Sequence, residues 1–347
     1  MAIQQALQQL VDGDSLSQKT MREVMTEVMT GEATPAQIGA LLIALRIRGE
    51  TIEEIVGAAE VMRGLATRVN VDQTHLVDLV GTGGDGANLF NVSTAATFVV
   101  AAAGGRVAKH GNRSVSSASG SSDVLETLGI PLDLTPDQIA RCIDEVGLGF
   151  MFAPAHHSAM KHAVGPRKDL GMRTLFNILG PMTNPAHVER QVLGVFNAEL
   201  CQPIAEALSR LGSRHALVLH SDDGLDEISI AAPTMVWELR NGVVERFYID
   251  PAEYGHEHTD LEGLMVDDAQ QSAALIRAAL GNKSTPGAQK ARSIIALNSG
   301  AAIYAAGVTQ SLRNGISLAD DVIMTGQALE KLEAFVTFTH GLKASAL

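Results

Sequence analysis

The sequence predicts an α/β protein with a small all-helical N-terminal domain and a larger α/β domain, whose mostly parallel central sheet is covered by helices. Two observations support this class. The first 69 residues carry helix signals only, and from Asn70 onward short apolar strand candidates alternate with helix candidates. Such alternation with short connections is typical of a parallel sheet with helices on both faces. We therefore predict a helical domain over residues 1–69, joined by part of residues 165–190, and an α/β domain over residues 70–347.

The composition is that of a globular enzyme of ordinary polarity. The chain has 347 residues, of which 46% are hydrophobic and 19% charged, enough to bury cores for two domains. A net charge of −13 counts against general binding to nucleic acid, which needs a basic surface. Cys142 and Cys201 form no C-x-x-C pair, so neither a disulfide scaffold nor a zinc motif is expected. Without a signal region or an apolar run of membrane-spanning length, the expected location is the cytoplasm.

The N-terminal segment carries explicit signals for the starts and ends of helices. Capping boxes occur at Thr34-Pro35-Ala36-Gln37 and at Thr51-Ile52-Glu53-Glu54. Gly31 and Gly49 stand where the preceding helices should end. The run Ile38–Leu45 is apolar on all sides, which predicts burial either inside a helical bundle or at a subunit interface.

The α/β part is predicted element by element from apolar runs and turn residues. Strands are predicted over 76–80, 106–109, 150–153, 192–196 and 216–220, and helices over 94–103, 123–128, 135–147, 267–280, 287–305 and 319–338. Asn241-Gly242 stands between Trp237–Arg240 and Val243–Ile249, which predicts an antiparallel hairpin with a type I′ turn. The segment Asn177–Pro185 reads as turn-rich.

A glycine-rich loop follows the first predicted strand and is the main functional signal. Four of the six residues Gly81–Gly86 are glycines, so this loop can adopt positive φ and allow another molecule to approach its backbone. Asn91, Ser93 and Thr94 follow it, and any of the three could cap the next helix. A loop at a helix N-terminus exposes unpaired N–H groups and the positive end of the helix dipole, so an anion site is predicted.

The same loop matches the dinucleotide fingerprint G-x-G-x-x-G. That fingerprint needs an acidic residue about 20 positions further on for the ribose hydroxyls, but no Asp or Glu lies between Asp85 and Asp123. The next strand runs instead into a cationic segment, Lys109–Arg113, which favours phosphate. An NADP site with Arg113 on the 2′-phosphate and a tight turn without ligand remain as alternatives, while a Walker A loop is absent from the sequence.

A second polar loop, Lys109–Ser122, is rich in serine and glycine. Serine hydroxyls and unpaired backbone N–H groups suit phosphate oxygens, although many serine-rich loops are simply solvated. Both loops follow neighbouring strands of the predicted sheet. Ligands of open α/β sheets bind at the carboxyl ends of such strands, which favours the phosphate interpretation.

An acidic segment, Ser221–Glu227, follows the last parallel strand candidate. An EF-hand loop would need glycine where Glu227 stands, so calcium of that type is excluded. Two interpretations remain. The segment is either a solvated acidic turn or a Mg²⁺ site that uses one or two carboxylates with substrate phosphates and waters.

The segment Pro166–Thr174 contains two arginines, Arg167 and Arg173. Arginine can bind a planar carboxylate through two parallel hydrogen bonds, which lysine cannot do. The alternative is that both arginines pair with nearby acids on a surface helix.

The motif GTGGDG-x₄-NVST followed by KHGNR resembles the anthranilate phosphoribosyltransferase family, and matching segments extend the resemblance over nearly the whole chain. The resemblance implies transfer of the phosphoribosyl group of 5-phosphoribosyl 1-pyrophosphate (PRPP) to the amino group of anthranilate. The products are N-(5-phosphoribosyl)anthranilate and pyrophosphate, in tryptophan biosynthesis. It further implies two Mg²⁺ ions per subunit and a homodimer formed through the N-terminal helices. Neither nucleic acid nor membrane is an expected partner.

The resemblance also assigns roles to individual residues. The residues expected to bind PRPP are Gly81, Gly84, Asp85, Asn91, Val92, Ser93, Thr94, Lys109, His110, Gly111, Asn112, Arg113, Ser114, Val115, Ser116, Ser117 and Ser121. Those expected to bind anthranilate are Gly81, Asn112 and Arg167. Those expected to bind metal are Ser93, Asp226 and Glu227. No general base is identified, and His110 is the candidate proton acceptor.

Two residues depart from the pattern of the family. Ala118 stands where a lysine or arginine is common, and Leu89 stands where a hydroxyl is common, so each removes one expected phosphate contact.

Two other functions remain as alternatives: a pyrimidine nucleoside phosphorylase-like enzyme of the same architecture, and a non-enzymatic paralogue that binds nucleic acid. The second should have a basic face and should lack Arg167 or the Asp226-Glu227 pair.

Overall fold

The computed structural model describes residues 1–113 and 119–344. The helices are α1 (Ala2–Val11), α2 (Gln18–Thr30), α3 (Pro35–Arg48), α4 (Ile52–Leu65), α5 (Val92–Ala102), α6 (Ser121–Thr127), α7 (Pro136–Val146), α8 (Ala153–His156), α9 (Lys161–Leu170), α10 (Leu175–Met182), α11 (Cys201–Arg210), α12 (Ala269–Leu280), α13 (Pro286–Ala305), α14 (Leu312–Met324) and α15 (Gln327–Ala344). The strands are β1 (Leu76–Gly81), β2 (Arg106–Gly111), β3 (Leu148–Phe152), β4 (Arg190–Gly194), β5 (His215–Ser221), β6 (Thr234–Arg240) and β7 (Val243–Ile249). Within these described ranges, no helix is both long and apolar enough to span a bilayer.

The N-terminal helices begin and end where local signals predicted. Thr34 and Gln37 form the reciprocal bonds of a capping box at the start of α3, and Thr51 and Glu54 do the same for α4. Gly31 ends α2 with a φ of 82°, in the left-handed region that glycine adopts without cost.

The central sheet is mostly parallel, as predicted. Its strand order is β3-β2-β1-β4-β5-β6-β7, and the first five strands are parallel to one another. The last two strands pair antiparallel. Asn241 and Gly242 connect them with φ values of 52° and 84°, as a type I′ turn requires. The parallel part brings the carboxyl ends of β2, β1, β4 and β5 to one edge.

Two hydrophobic clusters cover the sheet. One surrounds α5 and α13, whose side chains are buried along most of their length, against β1, β2 and β3. The other joins α1–α4, α9 and α10 to α11 and to buried residues of β4 and β5. The apolar run of α3 contributes Ile38, Leu41, Leu42 and Leu45 to this second cluster, while Ile47 is 82% exposed.

Two sequence predictions about elements are wrong. The helix predicted over 319–338 is two helices, because Gly326 takes a φ of 82° between α14 and α15. The segment Asn177–Pro185 is helical up to Met182 rather than turn-rich. There the Asn177 side chain accepts the N–H of Thr174 at 3.0 Å, so it supports a helix start, and Pro181 stands next to the last residue of α10.

Candidate active site

The candidate site lies where the first and fourth strands end. Gly81, the last residue of β1, pairs with Gly194, the last residue of β4. Both glycines allow the segment after β5 to approach closely. A Cβ at Gly81 would lie 2.5 Å from the Asp226 carboxylate, and a Cβ at Gly194 would collide with the Asp226 backbone carbonyl. The acidic segment is therefore packed directly over the two strand ends.

The two carboxylates predicted to bind metal contact the glycine loop and the start of α5. Asp226 Oδ2 accepts the backbone N–H of Gly83 at 2.9 Å. Glu227 Oε1 accepts the backbone N–H of Ser93 at 3.1 Å. The acidic segment thus meets the glycine loop and the start of α5 across 143 and 134 sequence positions.

The electrostatics of this pair favour a bound cation. Burial raises the pKa of Asp226, and the nearby Asp85 carboxylate raises it further. Burial also raises the pKa of Glu227, and the charge of Asp226 adds to that effect. In the part of the chain that the structure describes, no three His, Cys, Asp or Glu side chains are arranged to hold a metal. Mg²⁺ commonly uses one or two carboxylates and takes its other ligands from phosphates and water, so the donor set fits that ion with a phosphorylated ligand.

Lys109 supplies a buried cation beside the carboxylates. Its Nζ donates to the Leu79 carbonyl at 2.6 Å and to Ser93 Oγ at 3.2 Å. Burial lowers the pKa of Lys109, while the charges of Asp78 and Glu227 act in the opposite direction. The predicted phosphate-binding lysine therefore lies within hydrogen-bond distance of a predicted metal ligand.

A buried polar network links β1 and β2 to the segment that follows α10. Asp78, in the middle of β1, accepts Asn184 Nδ2 at 2.7 Å and the backbone N–H of His110 at 3.3 Å. Burial raises the pKa of Asp78 to about 6. Sequence reasoning missed both Asp78 and Asn184, although a carboxylate inside the apolar strand LVDLV is a signal that could have been used, because such a group needs partners when buried.

The start of α5 differs in one respect from the sequence expectation. Asn91 occupies the N-cap position, but its side chain makes no capping bond. It instead accepts the hydroxyls of Ser119 at 2.8 Å and Ser272 at 2.9 Å. Val92 and Thr94 are buried, and Thr94 Oγ1 has no hydrogen-bond partner among the described residues. Asn91 thus connects the start of α5 to the end of the serine-rich loop and to α12 rather than capping the helix.

Only the two ends of the serine-rich loop are described. The carbonyl of Asn112 accepts the Ser121 hydroxyl at 3.4 Å, and a Cβ at Gly111 would collide with that hydroxyl. Arg113 forms ion pairs with Asp123 at 3.0 Å and Glu126 at 2.6 Å. The predicted ligands Ser114, Val115, Ser116 and Ser117, and the departure at Ala118, lie outside the described residues. The other departure, Leu89, forms an isolated β-bridge with Met265.

Two buried histidines lie side by side next to the loop ends. The ring centroids of His110 and His157 are 5.0 Å apart, and neither Nε2 has a hydrogen-bond partner in the described chain. Burial lowers the pKa of His110 to about 3 and that of His157 to about 4. Both rings are therefore neutral near pH 7. His157 carries no sequence signal of its own, since only the tertiary fold brings it to His110.

The two arginines of the α9–α10 region have different surroundings. The guanidinium carbon of Arg167 lies 5.2 Å from the centroid of the Phe176 ring, and burial lowers the pKa of Arg167. Arg173 donates to the carbonyl of Gly84 and is the arginine that contacts the glycine loop. No ion pair between described residues includes Arg167 or Arg173, so the alternative that both pair with acids on a surface helix is not supported.

Comparison with known proteins agrees with this architecture. Residues 4–66 match the helical bundle domain of the glycosyl transferase family, and residues 73–329 match the a/b domain of the same family. Fold and site together thus define a glycosyltransferase of this two-part type.

Comparison with individual relatives assigns the chain to a more specific family. The chain is 62% identical to an anthranilate phosphoribosyltransferase of Teredinibacter turnerae, over 98% of this chain and 100% of that one. The crystal structure of the enzyme of that name from Thermus thermophilus superposes with a TM-score of 0.90 at 42% identity, covering 96% of this chain and 99% of that one. The Saccharomyces cerevisiae enzyme in complex with PRPP and Mg gives a TM-score of 0.88 at 27% identity, with 98% of each chain covered. The chain therefore belongs to the anthranilate phosphoribosyltransferase family, which confirms the resemblance found in its sequence.

Proposed function

We propose that this chain transfers the phosphoribosyl group of PRPP to the amino group of anthranilate, giving N-(5-phosphoribosyl)anthranilate and pyrophosphate, in tryptophan biosynthesis. One observation carries the proposal: the convergence of the glycine loop, the start of α5 and the Asp226-Glu227 pair at the carboxyl ends of β1 and β4. Relatives named anthranilate phosphoribosyltransferase match over 98% and 96% of this chain, which supports the assignment of substrates.

The pyrophosphate of PRPP is proposed to bind between the two loops. Backbone N–H groups of Gly84–Gly86, which no hydrogen bond between described residues uses, are the proposed donors for phosphate oxygens at the N-terminus of α5. Lys109 supplies a positive charge next to Ser93. The other predicted PRPP ligands stay proposals, and Ser114, Val115, Ser116 and Ser117 among them lie outside the described residues.

Asp226, Glu227 and Ser93 are the proposed metal ligands. When bound, Mg²⁺ neutralises charge that gathers on the leaving pyrophosphate. The yeast relative was determined with PRPP and Mg, which supports the identity of the ion, and two ions per subunit is the number proposed here. The protein's own part is to hold both carboxylates against Gly83 and Ser93, so that donors and charges are in place before the reaction starts.

Anthranilate is proposed to bind between the α9 arginine and the end of β2. Arg167 can bind a carboxylate through two hydrogen bonds, and its guanidinium has no acidic partner among the described residues. Asn112 and the Gly81 backbone complete the proposed acceptor site. The amine then attacks C1 of the ribose as the bond from C1 to the pyrophosphate oxygen breaks, and the amine loses one proton.

A general base is not required for this step, because an arylamine is already a usable nucleophile. His110 remains the candidate acceptor of the released proton, since its Nε2 lacks a partner among the described residues. A pKa of about 3 for His110 makes it a weak base, however, and water or a phosphate oxygen can take the proton equally well.

The proposal includes a cytoplasmic homodimer formed through the N-terminal helices. Ile47 on α3 and Val11 at the end of α1 are 82% and 76% exposed, and such apolar side chains on neighbouring helices suit a subunit interface. Sedimentation at micromolar concentration should give twice the monomer mass of 36.6 kDa. A monomer under those conditions contradicts this part of the proposal.

The direct test of function follows anthranilate fluorescence in the presence of the purified chain. Loss of anthranilate should require both PRPP and Mg²⁺, and omission of either should stop it. The same preparation should not cleave thymidine with inorganic phosphate, the reaction expected of a pyrimidine nucleoside phosphorylase-like enzyme. Phosphorolysis of thymidine without consumption of anthranilate would favour that alternative.

A further inference from the structure

Two side chains from distant parts of the chain form hydrogen bonds with the backbone of the glycine loop. On one side Asp226 accepts the N–H of Gly83, as described above. On the other side Arg173, in the short link between α9 and α10, donates to the carbonyl of Gly84. The carboxylate of Asp226 is also a proposed metal ligand, whereas the bond from Arg173 has no part in metal binding.

The left-handed backbone at residue 84 accounts for the glycine there, and Arg173 packs against it. Gly84 has a φ of 83°, a conformation that other residues rarely adopt. A Cβ added there would also lie 2.9 Å from Nε and Nη2 of Arg173. The loop backbone and the guanidinium are thus packed directly against each other.

Arg173 is itself held from two further directions. Its guanidinium carbon lies 4.2 Å from the centroid of the Phe196 ring, a cation–π distance. The backbone N–H of Phe196 donates to Thr82 Oγ1 at 3.1 Å, so the backbone of this residue is joined to the same loop. The backbone carbonyl of Arg173 accepts the guanidinium of Arg46 on α3. A continuous path of contacts therefore runs from the N-terminal helices through Arg173 to the glycine loop.

The bond to Gly84 sets the direction of a backbone donor. In a trans peptide the C=O and the N–H point in opposite directions. An arginine that holds the Gly84 carbonyl therefore fixes the Gly84–Asp85 peptide, with the Asp85 N–H directed away from Arg173. Phosphate binding by a glycine loop depends on such N–H groups being set before the ligand arrives.

We propose that Arg173 is a positioning residue for PRPP: its guanidinium holds the Gly84–Asp85 peptide in the orientation that receives the pyrophosphate, and its backbone ties that loop to α3. This inference rests on the proposed function, since it names the ligand that the loop receives. It assigns Arg173 neither to the anthranilate carboxylate nor to direct contact with phosphate.

Three variants test the role: Arg173→Ala, Arg173→Lys, and Lys168→Ala as a control at an exposed cation of the same region. We expect Arg173→Ala to raise the Kd and KM for PRPP about tenfold, because one charge-assisted hydrogen bond to the loop is lost, and to change KM for anthranilate less than about twofold. Lysine should restore only part of the PRPP affinity. Its ammonium lacks the planar guanidinium, which in Arg173 both donates to the Gly84 carbonyl and stacks on Phe196. A rise confined to KM for anthranilate would overturn the proposal in favour of an acceptor-binding arginine.

A double-mutant cycle with Gly84→Ala separates loop positioning from a simple loss of charge. In the wild-type background the added methyl group meets Arg173, whereas in the Arg173→Ala background that clash is relieved. We therefore expect the combined effect on PRPP binding to be smaller than the product of the two single effects. Strict additivity, or full rescue by lysine, would overturn the positioning role.

Calorimetric titration of PRPP with Mg²⁺ makes this test independent of turnover. If wild type and Lys168→Ala bind PRPP but do not consume anthranilate, the proposed reaction fails while the loop role is still measured by the change in Kd. If wild type and Arg173→Ala bind PRPP equally well, the loop role is wrong whatever the reaction.

Discussion

Replacing both carboxylates of the acidic segment by amides, Asp226→Asn with Glu227→Gln, separates their function from their contribution to the fold. Each amide keeps an oxygen for the backbone N–H that the carboxylate now accepts, from Gly83 and from Ser93. The double variant is therefore expected to fold. It removes two partly buried charges whose pKa values are raised by burial and by neighbouring carboxylates.

Without metal, the variant should be more stable than the wild type. A carboxyl group whose pKa is raised on folding stabilises the fold at low pH, and this contribution is lost as the pH rises through the folded-state pKa. Near pH 7, close to the raised pKa of about 7 for Asp226 and about 8 for Glu227, most of that contribution has been lost. The pair then opposes folding, because both carboxyl groups ionise freely only in the unfolded chain. Each tenfold change in proton affinity corresponds to about 1.4 kcal/mol, and allowing for partial exposure we expect the amides to add on the order of 3 kcal/mol. For 347 residues this corresponds to a rise in Tm of roughly 4 °C.

The assay is thermal unfolding in EDTA and again with Mg²⁺ and PRPP, followed by the fluorescence assay. Wild type should gain about 2.7 kcal/mol at a ligand concentration of 100 times Kd, and the double variant should gain little. Turnover of the variant should fall by on the order of 100-fold or more. Asp222→Asn, at an exposed carboxylate of the same turn, serves as the control and should leave both measurements unchanged.

Two results would refute this reasoning. A double variant less stable than wild type in EDTA would mean that the carboxylates hold the fold together rather than oppose it. Turnover near that of wild type at ordinary magnesium concentration would mean that neither carboxylate binds the catalytic ion.

Three further substitutions probe the rest of the site. Arg167→Ala should raise KM for anthranilate about 10- to 100-fold with little change for PRPP, and a folded variant with normal KM for anthranilate would place the acceptor elsewhere. Lys109→Met, which keeps the length of the side chain but removes the charge, should lower kcat/KM for PRPP by on the order of tenfold or more; unchanged PRPP kinetics would exclude its role. Gly194→Ala should force the Asp226 backbone away from β4 and cost about 1–3 kcal/mol of stability as well as activity. The control Gly64→Ala, which has open space around its Cβ position on α4, should cost neither, and equal effects at both glycines would contradict the close packing at β4.

Elements with a local signal were predictable from the sequence. The capping boxes at Thr34 and Thr51, the helix end at Gly31 and the hairpin at Asn241-Gly242 all depend on residues within four positions of one another, and the structure has each of them. The alternation of apolar strands and helices likewise predicted the parallel sheet. Where the local signal was ambiguous, at Gly326 and at Pro181, the prediction was wrong.

The contacts within the site depend on the tertiary fold and have no local signal. Asp226 meets Gly83 across 143 sequence positions, and Glu227 meets Ser93 across 134. The residues showed that the glycine loop and the acidic segment each follow a strand, but only the family resemblance joined them into one site. Asn184 was missed for the same reason, because its partner Asp78 is 106 positions away. Arg173 was considered only as a carboxylate-binding or surface arginine, because its contact with Gly84 spans 89 positions.

A crystal structure of the chain with PRPP and Mn²⁺ is the most direct test of the proposed site, because Mn²⁺ accepts the oxygen ligands of Mg²⁺ and its anomalous scattering identifies its position. We expect the pyrophosphate against the N–H groups of Gly84–Gly86 and the end of β2, with two manganese peaks, of which at least one is bound by Asp226 and Glu227. PRPP bound away from the ends of β1 and β2, or manganese remote from both carboxylates, would contradict the assignment.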